Sequence, residues 1–327
     1  MTFRLGRMII AAAAAMALAA PATAAAAETP LTVMVFQGMQ NLPLLAAEAK
    51  GFFTRHGLKV DVKIAPSSDE LRHGLADGRW QIVHGAIDNS VAMVEVAKAD
   101  AAVFMGGDNG FNSLVVQADI NALEDLRGKT VAVDATNTAY AFLLYEILRQ
   151  NGLKRGTDYE VKAVGASFRR YAAMMEDKSL KAAILNPPFS LRAVDGGLKD
   201  KGLAVKAVGS YQATGGFIMR PWAQANADTV VRYVQAYVEA LRWALDPANK
   251  EEAIRLLADG LKLPPELAAR CYAIAADPVT GLSRDARLDL DGFSNVLKLR
   301  AAFEGGTAGA PDKYLDLSYY QRALTGL

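Results

Sequence analysis

The stretch Leu31–Phe53, LTVMVFQGMQNLPLLAAEAKGFF, sets the architecture of this chain. Leu31 to Phe36 is a short apolar run with two valines, long enough for a buried strand and too short for a helix. Gln37, Gly38 and Gln40 break it. Asn41 is of a type that caps helices, and Pro43 is tolerated in a first helical turn. Leu42, Leu45, Ala46 and Ala49 then recur on one helical face. Gly51 stands where a helix ends in left-handed geometry. The unit reads as strand, polar turn, helix, stop. In an open α/β sheet it places a helix N-terminus above the carboxyl end of a strand, where such sheets bind ligands.

Similar units follow. Leu58–Ile64 alternates apolar and polar and predicts a strand. Ser67 with Glu70 forms a capping box for a helix carrying Leu71 and Leu75, which stops at Gly78. Gln81–Val83 is a strand ending at His84, and Asp88 caps a helix reaching Lys98. Ala101–Met105 is a strand, closed by the turn 106–110. Leu114–Gln117 is a strand that leaves this set, and the pattern restarts. Strands over Lys129–Val133, Tyr159–Val164 and Lys181–Leu185 alternate with helices over Ala139–Gln150 and Phe168–Glu176, and Pro187 opens another helix. A strand near Leu203–Val208 leads into Tyr211–Arg220, a second crossing strand. Beyond it the periodicity is helical: 225–245, 250–257, 264–275, 293–303 and 318–324.

This order predicts an α/β fold of two lobes. The first comprises 28–114 and 214–327, and the second, 115–213, is inserted into it. The late helices have no sheet of their own to cover, which favours insertion over two tandem domains. Leu114–Gln117 and Tyr211–Gly216 are then the two segments of a hinge.

Residues 1–27 have the form of a signal peptide. Arg4 and Arg7 precede an alanine-rich apolar stretch from Met8 to Ala20, and small residues offer cleavage after Ala24 or Ala27. The reading is therefore an exported, periplasmic protein. The apolar fraction is 52% and the formal net charge +1, so no polyanion is implied as a partner, and no basic block with interleaved aromatics points to nucleic acid. Cys271 is the single cysteine, which leaves no internal disulfide and reads as a small buried hydrophobe.

The chain shows no Cys/His metal spacing, phosphate-binding loop or Gly-x-Ser-x-Gly elbow, and the turn 106–110 is not followed by a helix pattern. No catalytic residue, metal or cofactor is predicted. A ligand between lobes should meet the polar turns at strand carboxyl ends. In the first lobe these hold Gln37, Asn41, Ser67, Ser68, His84, Asp88 and Asn89; in the second, Asn137, Thr138, Ser167, Asn186 and Tyr211. Asn41, Ser67 and Asp88 also have capping duty, whereas Gln37 has none. His56 and His73 read as surface residues. Arg169 and Arg170 read first as a solvated face and second as a clamp for a carboxylate or sulfonate. Asp88 is the one acid in this set. It would accept a donor nitrogen of a small polar organic solute, while helix N-termini hold an anionic or carbonyl end.

Asn-Leu-Pro-Leu-Leu-Ala-Ala-Glu-Ala-Lys-Gly-Phe-Phe (41–53) and Gly-Leu-Lys-Val-Asp-Val (57–62) resemble the opening of periplasmic solute-binding proteins of the nitrate, sulfonate, taurine and thiamine-precursor group. Leu-Ala-Asp-Gly (75–78), Leu-Arg-Gly-Lys-Thr-Val-Ala-Val (126–133) and Leu-Asn-Pro-Pro-Phe (185–189) fit as well. The resemblance implies a periplasmic-binding-protein type II-like fold, two α/β lobes closing on a sulfonate, amino-sulfonate, carboxylate or pyrimidine-like solute. It implies delivery to the permease and ATPase subunits of an ATP-binding-cassette importer by a monomer that is not an enzyme. Two alternatives are a periplasmic enzyme on the same fold, such as a pyrimidine-biosynthesis relative, and a sensor subunit. Many relatives carry Trp-Glu-Pro where this chain has Asn186, so the acidic residue that some of them use is absent.

Overall fold

The computed structural model describes residues 27–327, and the expected signal peptide lies outside them but for Ala27. Ten strands run in chain order: β1 Thr29–Val35, β2 Leu58–Ile64, β3 Ile82–Ala86, β4 Ala101–Gly106, β5 Ser113–Val116, β6 Lys129–Val133, β7 Tyr159–Ala163, β8 Leu180–Leu185, β9 Lys199–Leu203 and β10 Thr214–Met219. They form two five-stranded sheets, ordered β2-β1-β3-β10-β4 and β7-β6-β8-β5-β9. Pairing is parallel from β1 to β2 and β3, and from β6 to β7 and β8, as crossover helices require. One strand in each sheet runs against its neighbours. β10 lies antiparallel between β3 and β4, and β5 antiparallel between β8 and β9.

Those two strands move the expected crossing points. Leu114–Val116 is not a connector but part of β5, buried inside the second sheet. The chain passes between sheets at 107–112 and again at 208–213, before β10 begins at Thr214. Alternation marks a strand but not its partners, so a strand paired in the second sheet looked like a passage between sheets. The strand expected over Leu203–Val208 lies earlier, as β9, and Ala204–Ala207 forms a 3-10 turn.

The opening unit forms as strand and helix, with two local differences. Gly51 adopts φ 68° after the helix Leu42–Ala49, the left-handed stop its position requires. Asn41 does not cap that helix; its Nδ2 donates to the Phe36 carbonyl at 2.9 Å and closes the end of β1. The buried residues of the helix are Leu42, Pro43, Leu44, Ala46 and Ala47 rather than one stripe. The helix lies against the long helix Ala227–Leu245 and the helix Lys250–Leu261, so it is covered on more than one side and a one-face pattern does not apply. The capping box is as expected in its main bond: Ser67 Oγ accepts from the Glu70 amide at 3.3 Å, ahead of helix Ser68–Ala76.

Three apolar clusters hold the fold. The first lies between β1, the helix Leu42–Ala49 and the C-terminal helices, and contains Cys271, whose thiol burial pushes up to about 12. The second runs through both sheets: Val83 and Val103 from the first, Val116 and Val131 from the second, with Phe293 and Val296 of helix Leu290–Glu304 joining them. The third, around Met174, lies in the second sheet's region alone. Among the described residues no helix is long and apolar enough to cross a membrane.

Candidate functional site

The carboxyl ends of β1, β3, β6 and β8 meet at a cavity between the sheets. Its volume open to water centres is about 60 Å³, room for roughly five waters. Contacts cross this junction around it. Ser68 Oγ donates to Asp134 Oδ2. Asn186 Nδ2 donates to the Gln37 carbonyl at 3.2 Å and to Gln40 Oε1 at 3.3 Å, and the Met39 amide to the Pro187 carbonyl at 3.1 Å. The Ala166 amide donates to the Pro66 carbonyl at 3.3 Å. The conformation is closed. Gly38 lies in extended backbone, and its need is space: a Cβ there would sit 2.1 Å from Asn186 Nδ2.

Of the residues singled out from sequence, Ser68, His84, Asn89, Thr138, Ser167 and Asn186 line the cavity. Gln37, Asn41, Ser67, Asp88, Asn137 and Tyr211 do not. Gln37 contributes its carbonyl to closure, Asn41 closes β1 and Ser67 caps its helix. Asp88 requires correction on two counts. It sits in the first turn of helix Asp88–Glu95 and makes no side-chain cap bond. Its carboxylate, 1% exposed, takes Arg300 Nη1 at 2.9 and 3.0 Å, away from the cavity. Burial pushes the Asp88 carboxyl up, and Arg300 opposes that shift. The same guanidinium approaches the Asn137 carbonyl at 3.5 Å, and Tyr211 is buried beside the pair. Arg300 lies 212 residues beyond Asp88, so nothing local marks the pairing.

The lining amides are also less free than their composition implies. Asn186 spends Nδ2 on closure. Gln40 Nε2 donates to the Phe36 carbonyl at 3.1 Å. Asn89 Nδ2 donates to the Ala86 carbonyl at 3.2 Å while its Oδ1 accepts from Arg72. Thr138 Oγ1 donates to the Ala135 carbonyl at 3.1 Å.

What remains is concentrated on residues the sequence reading passed over or ranked low. Asp134 is the first residue after β6; its Oδ1 is buried without a partner among the described residues. Arg170, 3% exposed, belongs to helix Ser167–Glu176 and lines the cavity. Its two Nη atoms donate to the carbonyls of Gly165 and Ile184 and to Ser167 Oγ. It has no carboxylate in ion-pair contact among the described residues; Asp134 offsets its charge through space while burial lowers its pKa. His84 is stacked on Tyr237, with ring centroids 4.8 Å apart, and its Nε2 meets the Tyr233 hydroxyl at 2.9 Å. Burial holds its pKa down to about 3, so the ring is neutral at physiological pH. Phe36, Phe111, Tyr140 and Tyr237 supply apolar wall. Asp134 was legible as the opening of a polar turn after a strand. Tyr237, from a helix far along the chain, was not.

A model of the NMT1-like family matches residues 24–258. The chain belongs to the NMT1-like family. An ABC transporter periplasmic binding protein from Brachyspira hyodysenteriae is 25% identical over 232 residues, 65% of this chain. The match spans 64% of that relative's length. Among solved structures, one from Bordetella bronchiseptica RB50 is similar over 91% of this chain and 98% of its own, at 21% identity and a TM-score of 0.78. The periplasmic nitrate-binding protein NrtA from Synechocystis PCC 6803 is similar over 92% of this chain and 89% of its own, at 15% identity and a TM-score of 0.75. A desulfurization enzyme, DSZB, is similar over 90% of this chain and 99% of its own, at 16% identity and a TM-score of 0.63. At these identities the structural likeness shows the fold of this NMT1-like chain, that of periplasmic binding proteins, and not its ligand. Among the described residues of this NMT1-like protein, no group of three or more His, Cys, Asp or Glu side chains is placed to hold a metal ion.

Proposed function

We propose that this protein is the exported, periplasmic solute-binding component of an ATP-binding-cassette importer. It captures one small polar organic solute between two lobes, leaves it chemically unchanged and presents it to permease and ATPase subunits. The observation that carries the reading is the cavity itself. It is closed by contacts from both sheets and walled by apolar rings, and it holds a buried carboxylate oxygen and a buried guanidinium that the protein leaves partly unserved. Family membership and the import-system name of the Brachyspira relative support the same reading. The lobes, about 28–114 with 214–327 and about 115–213, would turn about the passages 107–112 and 208–213.

An enzyme on this fold is the second reading, favoured by the likeness to DSZB. Against it, Cys271 is buried in the C-terminal helices away from the cavity lining, and His84 is held neutral between two tyrosines. Native mass spectrometry of the purified protein, followed by incubation with any molecule it retains and with taurine, tests the proposal. A bound molecule recovered unaltered is the expected result. Turnover of a bound molecule would overturn it.

A further inference from the structure

The charges around the cavity say what kind of solute it accepts. Among the described residues, Arg170 is the one buried cation on the wall, and Asp134 the one carboxylate. The neighbouring charges cancel or face elsewhere. Asp88 and Arg300 pair with each other, and Arg72, behind Asn89, pairs with Asp69. Asp108 is buried nearby and turns its carboxylate to the Gly110 amide and the Thr214 hydroxyl, while Arg169 is exposed. His84 adds no charge. The wall thus carries no surplus of positive charge to receive an anion.

We propose that the bound solute carries no net charge, donates an N–H or O–H hydrogen to Asp134 Oδ1 and presents an acceptor to Arg170. Asp134 lines the cavity, and its Oδ1 is a buried acceptor with no partner among the described residues, a state that proteins avoid unless something else fills it. Three of the five N–H groups of Arg170 are engaged by the protein, which leaves two for an acceptor. A net anion would satisfy Arg170 but set a second negative charge beside Asp134, in a site with little water to screen it. A net cation would reverse the problem. A neutral or zwitterionic molecule with donor and acceptor on one edge meets both groups, and Phe36, Phe111 and Tyr237 cover an apolar body. The donor expected at Asp88 is thereby moved to Asp134. This inference rests on the solute-binding reading and narrows it.

The test uses matched probes: acetamide and acetate, benzamide and benzoate, nicotinamide and nicotinate. Each pair has nearly one shape and differs in charge and in N–H donors. Thermal shift of the wild-type protein should favour the amide in every pair that binds, and any molecule retained at purification should be neutral or zwitterionic by native mass spectrometry. Preference for the carboxylates, or a retained net anion, would overturn the charge assignment and leave solute binding intact. If no probe binds and nothing is retained, solute binding itself fails. In Asp134→Asn the wall gains a net positive charge, and the amide-over-carboxylate ratio should fall at least 10-fold. An unchanged ratio would remove Asp134 from the site, and the wild-type probe series stands even where the variant does not fold.

Discussion

His84 and Asp108 carry opposite pH dependences into one small region. Burial lowers His84 to about 3 from an ordinary 6.5, and raises Asp108 to about 6 from 3.8. Between pH 6.5 and 3 the unfolded chain binds a proton at His84 that the folded protein refuses, so His84 costs stability as pH falls. Between 3.8 and 6 the folded protein keeps a proton on Asp108 that the unfolded chain has released. That contribution is full below 3.8 and lost as pH rises to about 6. Each is worth about 1.4 kcal/mol per pH unit, so over the shared window they largely cancel. His84→Phe keeps a ring against Tyr237 and removes one member. Relative to wild type, it should gain about 3 kcal/mol on acidification from pH 6.5 to 4, measured by urea unfolding at both pH values. Parallel behaviour of the two proteins would mean that His84 is not held neutral.

Helix Leu290–Glu304 is the element that links the two sheet regions behind the cavity. Phe303 stacks on Phe142 with centroids 5.8 Å apart and meets Tyr145 edge-on at 5.6 Å, both on helix Ala139–Gln150 of the second region. One turn earlier, Arg300 pairs with Asp88 of the first region, both side chains 5% exposed or less. Breaking a buried pair strands a charge. Asp88→Asn should therefore destabilise the empty protein by about 3–5 kcal/mol. Asp88→Leu combined with Arg300→Met should be closer to wild type than either single change, because no charge is left without its partner. Denaturant midpoints of the four proteins decide it; additive losses would mean that the two side chains do not act as a pair.

For the whole molecule, closure depends on a close approach at Gly38. Gly38→Ala would press a methyl group against Asn186 and Gln40 and disturb the bonds that cross the cleft. With a solute that raises the wild-type melting temperature present, small-angle scattering should show a larger radius for this variant than for wild type. It should also show a wild-type particle that becomes more compact with any solute that raises its melting temperature. An equal radius in every state would count against lobe motion, and would fit the apolar cluster that runs unbroken through both sheets.

The sequence by itself determined the α/β class, the strand–helix order, the Gly51 stop, the Ser67 cap and the family, because each rests on periodicity, turn chemistry or short motifs within about 20 residues. It also brought Ser68, His84, Asn89, Thr138, Ser167 and Asn186 to attention, since strand ends are visible as breaks in an apolar pattern. Only the tertiary structure decided which polar groups were already spent. Asn41, Asp88 and Asn186 all stand in polar turns at strand ends, yet one closes a strand, one holds an arginine 212 residues away and one bridges the cleft. Asp134 and Arg170 stand apart because the fold buries them at one cavity and leaves Oδ1 and two N–H groups over. Hydrogen-bond satisfaction and burial are set by neighbours distant in sequence, and no local pattern encodes them.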